Sequence, residues 1–215
     1  MLTNIGMKLV VLTPEITTGN EQEMVISMLI NGPARVHVRK PGFSYGEYRR
    51  YLDSIPEYFH QRLVIHDHFE LFSTYNLGGV HLSSAGRDDL VVMKQVEKIP
   101  RDRLSTSFHS WAEIEENKET YSYVFISPVF DSISKPGYEA AIDLEGAPRT
   151  KERFAASGNL CPGIIGLGGV GPEQIHILME NGFDGAAMLG AIWSSPDPLA
   201  AYQEAVKAAT VPGGR

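Results

Sequence analysis

The residues of this chain that could do chemistry lie at the ends of short apolar runs. Gly168-Gly169 follows Gly163-Ile164-Ile165-Gly166-Leu167, and Pro172 then opens a helical pattern. Glycines directly after a parallel strand bring backbone N–H groups close to a ligand, with no Cβ in the way. A helix N-terminus behind them adds partial positive charge. The pair either cradles a phosphate or serves only a tight turn. Gly190 follows the next apolar run, 184–188, in the same manner. Arg35, His37 and Arg39 alternate with Val36 and Val38, which sets three polar side chains on one face of a strand. Such a face is costly in an interior strand unless it meets a polar cavity; exposure on an edge strand is the other solution.

His66-Asp67-His68 invites a metal. Neighbouring strand residues point to opposite faces, so all three cannot meet on one ion without a bend, and Asp67 is the single candidate ligand. Ser105, Ser107 and His109 also share a face, and Ser110-Trp111-Ala112-Glu113 reads as a capping box that starts a helix just after them. His109 serves either a structural role or that of an acid/base, for which an imidazole is suited. The stretch 127–148 carries Ser127, Ser132, Ser134 and Lys135, hydroxyls and an ammonium suited to phosphate or pyrophosphate. Loops beyond about 12–15 residues tend to be functional or mobile.

These positions need a scaffold that gathers strand ends. Apolar runs predict strands at 7–13, 35–39, 63–65, 78–82, 104–108, 123–126, 163–167 and 184–188. Helical spacing predicts helices over 21–30, 44–59, 70–75, 90–99, from 110, over 150–156, from 172, from 190, and over 197–207. Eight strands, each followed by helix, predict an α/β chain folded as a single-domain (β/α)8 TIM barrel over residues 1–215. A doubly wound sheet would want its phosphate loop after the first strand, where Thr13-Pro14-Glu15 stands. Here that loop comes late, after the seventh and eighth strands, where barrels bind phosphate.

The totals narrow the function classes. The chain has 215 residues, a net charge of −7 and one cysteine. With no lysine- or arginine-rich run, a nucleic-acid partner is not expected. No apolar run reaches about 18 residues, so no membrane partner is expected either. The N-terminus lacks a secretory pattern, and a cytoplasmic location is expected. Cys161, at the start of a buried strand, is either a packed thiol or a reactive one.

With the barrel laid out, the strand ends resemble the thiamine phosphate synthase and TenI family over almost the whole chain. The matching pieces are VHVRKPG, LVIHDHFELF, GGVHLSS, STSFHS, YVFISPVFDSISK, PGIIGLGGVGPEQ and DGAAMLGAI. The resemblance implies thiamine biosynthesis: a pyrimidine pyrophosphate loses pyrophosphate, and a thiazole phosphate nitrogen attacks the pyrimidine cation. It implies Arg39 and Lys135 on the pyrophosphate and Asp67 on Mg2+. Ser107 and Ser132 would hydrogen-bond phosphate or pyrophosphate groups, with Ser134 in the same loop, and Gly168, Gly169 and Gly190 would hold the thiazole phosphate. A homodimer is implied as well.

The chain departs from the family pattern at several positions. His37 stands where the synthases carry glutamine, and Lys40-Pro41 moves the second cation one place early. His66 replaces an asparagine, and Gly86 replaces a second magnesium-binding aspartate. Lys40 is expected to reach the pyrophosphate, and Asp88 or Asp89 to stand in for the lost carboxylate. A TenI-like thiazole tautomerase is the alternative activity. Pro128 occupies the TenI catalytic position, so His109 would be its acid/base. A barrel that binds thiazole or thiamine phosphate and regulates a partner is the non-enzymatic alternative.

Overall fold

The computed structural model describes residues 6–131 and 140–210. Eight parallel strands close into a barrel in sequence order, β1 to β8, with β1 paired to β8. In chain order these are β1 (Lys8–Leu12), α1 (Glu21–Asn31), β2 (Arg35–Val38), α2 (Tyr45–Asp53), β3 (Leu63–Ile65), α3 (Leu71–Thr74) and β4 (Gly79–Leu82). Next come α4 (Ser84–Arg87), α5 (Leu90–Gln95), β5 (Leu104–Phe108), α6 (Trp111–Glu116), β6 (Tyr123–Ile126) and α7 (Gly146–Ser157). The chain ends with β7 (Gly163–Leu167), α8 (Pro172–Glu180), β8 (Gly185–Met188), α9 (Gly190–Trp193) and α10 (Pro198–Ala208). The predicted (β/α)8 barrel is what forms.

Strand alternation divides the core in two. Val36, Val38, Ile65, Val80, Leu82, Val124, Ile126, Ile164 and Met188 point outward and are buried against the helices. Val10, Leu12, Tyr123, Phe125, Ile165 and Ala187 point inward and form a separate cluster. Inward positions of β2 to β5 are polar instead: His37, His81 and Ser105 are all buried. The parallel register sets His37 beside Leu12 and Val64, and His81 beside Ser105.

Helix ends follow local chemistry. Ser44 caps α2 through a reciprocal bond with Glu47, and Ser110 accepts from the Glu113 N–H at 3.2 Å. The predicted 44–59 helix stops at Asp53. Pro56, which has no N–H to continue the ladder, is followed by a 3₁₀ turn over Glu57–Arg62. The predicted 90–99 helix ends at Gln95 and buries no residue, with Leu90 and Val91 exposed. Helix α7 starts at Gly146, ahead of the expected 150, and Gly146 packs so tightly on Trp111 that a Cβ would lie 2.0 Å from its Nε1. Among the described residues, no helix is long and apolar enough to cross a membrane.

One buried ion pair ties the barrel mouth together. Lys40 Nζ lies 2.7 Å from Glu21 Oε2, and neither side chain is exposed. Lys40 also donates to the Pro14 carbonyl at 2.6 Å, and the Tyr51 hydroxyl donates to Glu21 Oε1 at 2.8 Å. This links the β1 loop, the start of α1, the end of β2 and α2. Removing one partner strands a charge without water, at a cost of about 3–5 kcal/mol. Lys40→Met should lower the urea-unfolding free energy by roughly that amount; a loss below about 1 kcal/mol would show the pair to be marginal.

Candidate active site

The carboxyl ends of the strands surround a cavity of about 400 Å³ lined by Arg39, His66, His81, Ser107, His109, Gly168, Gly169 and Gly190, among others. Gly168 and Gly169 have φ of +95° and +65°, conformations that L side chains rarely adopt. A Cβ on Gly169 would lie 2.3 Å from the Asp131 carbonyl oxygen. The Val129 N–H donates to Leu167 O, and the Phe130 N–H to Gly168 O. The glycine pair is therefore a tight turn that anchors the chain after β6, and it also borders the cavity.

The cations at the mouth have different fates. Arg39 is held by Thr13, whose hydroxyl accepts its N–H at 2.9 Å, and its guanidinium reaches the rim, 2.6 Å from Glu15. The expectation that Lys40 reaches a pyrophosphate is overturned, since its ammonium is buried on Glu21 and Pro14. Burial pushes the Lys40 pKa down, and Glu21 works against that shift. Asp88 and Asp89 do not stand in for a carboxylate at Gly86. Asp88 sits 3.7 Å from Arg87, and Asp89 caps α5 through the Val91 and Val92 N–H groups. Arg87 is itself tied to Glu113 at 2.8 Å and to the Ser107 carbonyl.

The His66-Asp67-His68 run splits as strand geometry requires. His68, at φ +53°, turns away to the Phe43 carbonyl at 2.9 Å. Asp67 is half-buried, and burial raises its carboxyl pKa against the pull of His68 and Arg39. His66 points into the barrel and meets two histidines from other strands. Its Nε2 lies 2.9 Å from His37 Nδ1, and its ring stacks on His81 with centroids 4.5 Å apart. His37 Nε2 bonds the Tyr123 hydroxyl at 2.6 Å. His81 Nδ1 and Nε2 contact the Ser105 and Ser107 hydroxyls, each at 2.9 Å. Ser105 in turn donates to Val80 O, so His81 Nδ1 carries the proton and Nε2 accepts from Ser107.

Burial holds all three rings neutral. The pKa values of His37 and His66 lie well below the ordinary histidine value, from desolvation first and neighbouring imidazoles second. That of His81 is lowered to about 3, by burial and then by Arg39.

His109 is exposed at the cavity wall, with Nδ1 3.2 Å from the Ser127 carbonyl and Nε2 3.0 Å from the Ser84 hydroxyl. A carbonyl only accepts, so Nδ1 is protonated and Nε2 is free to take a proton in the neutral ring. Pro128, joined to Ser127 by a cis peptide bond, lines the same wall. Ser132, Ser134 and Lys135 lie outside the described residues. Sequence reasoning passed over His81, Tyr123 and Glu21. Strand parity carried the signal for His81, which shares the inward face with Ser105 and Ser107 of the next strand. A second cavity, about 540 Å³, opens at the amino end around Arg35, Tyr123 and Asp184. Barrels use that end for stability rather than catalysis. Cys161 is half-buried against the core, and burial raises its thiol pKa, which favours the packing role.

A family profile described as thiamine monophosphate synthase matches residues 9–192. The chain belongs to that family. The thiamine-phosphate synthase of Desulfitobacterium hafniense is 31% identical over 141 residues, covering 65% of this chain and 64% of the relative. That of Chloroflexus aurantiacus is 24% identical and covers 66% and 62% respectively. The chain thus spans less than two thirds of the length of these curated relatives. In structure, a thiamine phosphate pyrophosphorylase of Bacteroides thetaiotaomicron matches with a TM-score of 0.68 at 27% identity, over 94% of this chain and 95% of that one. One from Pyrococcus furiosus matches at TM-score 0.75 and 20% identity, over 95% and 96%, a likeness of fold.

In this thiamine monophosphate synthase family member, the imidazole cluster makes stability depend on pH. The unfolded chain protonates its histidines near pH 6.5, and the folded cluster resists until far lower. Each depressed group contributes stability that is complete above the unfolded pKa and is lost as pH falls through the folded one, at about 1.4 kcal/mol per pH unit. Urea unfolding in chelator-treated buffer should show stability falling between about pH 7 and pH 5. His66→Asn should flatten that fall by about a third; an unchanged slope would mean that His66 titrates normally in the fold.

Proposed function

We propose that the protein is a thiamine-phosphate synthase. It would join a hydroxymethylpyrimidine pyrophosphate to a thiazole phosphate and release pyrophosphate. The observation that carries this reading is one cavity at the barrel mouth lined by Arg39 and Ser107 together with Gly168, Gly169 and Gly190. A guanidinium and a hydroxyl suit an anionic leaving group, and small residues after β7 and β8 suit a terminal phosphate.

In the proposed reaction the bond from the pyrimidine methylene carbon to the pyrophosphate oxygen breaks, and both electrons leave with the oxygen. The thiazole nitrogen then donates its lone pair to the methylene carbon. Arg39, with Lys135 from the following loop, would bind the departing charge where it develops. Ser107 would turn its hydroxyl hydrogen from His81 Nε2 to the leaving oxygen. The glycine turn would hold the thiazole phosphate so that the ring nitrogen faces the methylene carbon. Phe125, Leu167 and Leu189 line the same cavity and would exclude water from the cation.

Magnesium fits this donor set narrowly. The ion takes one or two carboxylates, substrate phosphates and retained waters, and Asp67 beside the mouth supplies one carboxylate. Bound there, the ion would neutralise pyrophosphate charge. The tautomerase reading rests on a separate observation, the His109 ring at the cavity wall, held through Nδ1 by the Ser127 carbonyl with Nε2 on the Ser84 hydroxyl.

Mixing the protein with the pyrimidine pyrophosphate, thiazole phosphate and Mg2+ should give thiamine phosphate and pyrophosphate in equal amounts. Arg39→Ala should lower kcat/KM by roughly ten- to hundred-fold, the worth of a charge-assisted contact, and Lys135→Ala should do the same. Thiazole isomerisation without condensation, abolished by His109→Asn, would replace this reading with the tautomerase. Binding of thiazole phosphate with no turnover would leave the regulator.

A further inference from the structure

We infer that His37, His66 and His81 form a site for one borderline transition-metal ion of the Zn2+ class, bound by three imidazoles on the floor of the cavity. The inference does not depend on the synthase reading.

The geometry carries it. One ring nitrogen from each of three strands, β2, the end of β3, and β4, lies within 4.8 Å of the others. Zinc–imidazole bonds of about 2.0–2.1 Å at tetrahedral angles place ligand nitrogens about 3.3 Å apart. His37 Nδ1 and His66 Nε2, at 2.9 Å, need to separate by only a few tenths of an ångström. The His66 and His81 rings are stacked, with the His37 ring edge-on at 5.1 and 5.2 Å from them, so a common ion would need a rotation of one stacked ring to close the ligand set.

The surroundings match what such sites require around their ligands. The nitrogen of each buried ring that would face away from the ion is already held by a hydroxyl, His37 Nε2 by Tyr123 and His81 Nδ1 by Ser105. Those contacts hold ring orientation and set His37 Nδ1 toward His66, while the Ser107 hydroxyl on His81 Nε2 would give way to the ion. The His37–His66 contact places a proton on one of those two nitrogens, and binding would move it to the far nitrogen of the same ring. Imidazole nitrogen selects Zn2+, Co2+, Ni2+ or Cu2+ over Mg2+, whose preference is oxygen.

Three ligands leave a fourth position. His66 and His81 both line the cavity, so that position faces the substrate space. The Arg39 cation bears on His66 and His81, which opposes a dication there and favours an anionic fourth ligand, hydroxide or a phosphate oxygen. Inorganic phosphate should therefore tighten the ion.

The test uses the untagged, full chain in chelator-treated buffer, titrated with Co2+ and read by ligand-field absorption. One Co2+ per chain should bind with the intense spectrum of tetrahedral nitrogen ligation, be displaced by Zn2+, and bind at least tenfold more weakly in His66→Asn and His81→Asn. Asp67→Asn should bind Co2+ as the parent chain does. Circular dichroism checks each variant, and if His81→Asn does not fold, His66→Asn decides. Absence of a tetrahedral spectrum in the folded parent chain would overturn the site. So would an unchanged titration in His66→Asn, or a loss confined to Asp67→Asn, which would place the ion on the carboxylate.

Discussion

A barrel has no edge, so every inward side chain must be satisfied by another inward side chain or by the cavity at the mouth. In this chain that constraint falls on β2 to β6, whose polar inward residues include His37, His66, His81, Ser105, Ser107 and Tyr123 beside the apolar Val64 and Phe125. A buried polar group without a partner costs about 1–3 kcal/mol, so half a network would be worse than an apolar filling. Here the partners close on one another: Tyr123 on His37, His37 on His66, and Ser105 and Ser107 on His81. The apolar residues Val10, Leu12, Phe125, Ile165 and Ala187 fill the rest of the interior, with the Phe125 ring packed on His37 and His81. The lumen is thus shared between polar and apolar side chains, and the cavity inherits both.

The same logic explains why two neighbouring cations behave differently. Arg39 is inward on β2 and emerges where the barrel opens, so its charge stays partly in water and its pair with Glu15 is an exposed one. Lys40 is one residue later and therefore on the outer side, beneath α1 and α2, where no water reaches it. Its charge is tolerable only because Glu21, Pro14 and the rings of Phe43 and Tyr51 surround it. A one-residue step converts a cavity-facing cation into a structural one, since strand parity decides which side a side chain meets.

That parity also sets what the sequence could tell. The alternation of strand and helix, the glycine turn at 168–169 and the inward face of Arg35, His37 and Arg39 were legible, because each depends on local periodicity. Arg35, His37 and Arg39 do share a face, yet Arg35 ends in the amino-end cavity, His37 in the closed interior and Arg39 at the mouth. One strand spans the whole depth of the barrel, and sequence spacing gives the face without the depth. The Lys40–Glu21 pair was not legible: the partners are nineteen residues apart and meet only after α1 packs on the barrel. The His37–His66–His81 cluster likewise requires the pairing of β2 with β3 and β3 with β4. Reading His66-Asp67-His68 as one unit hid it, because neighbours on a strand diverge while residues on adjacent strands converge.

The turn at Gly168-Gly169 joins the two halves of the candidate site mechanically. Val129 and Phe130 are hydrogen-bonded to the backbone of Leu167 and Gly168, and Pro128 packs within 2.9 Å of the position a Gly168 Cβ would take. On the far side of the same segment, Ala140 N–H donates to the Asp131 carboxylate at 2.7 Å, and Ala141 N–H to the Pro128 carbonyl at 3.1 Å. The described residues Asp131 and Ala140 therefore meet at one place, beside the glycine turn. Any side chain at 168 or 169 would push against that junction. The demand for glycine at both positions consequently has a structural origin that holds without any ligand. A phosphate contact there would make use of a turn that the chain after β6 already requires.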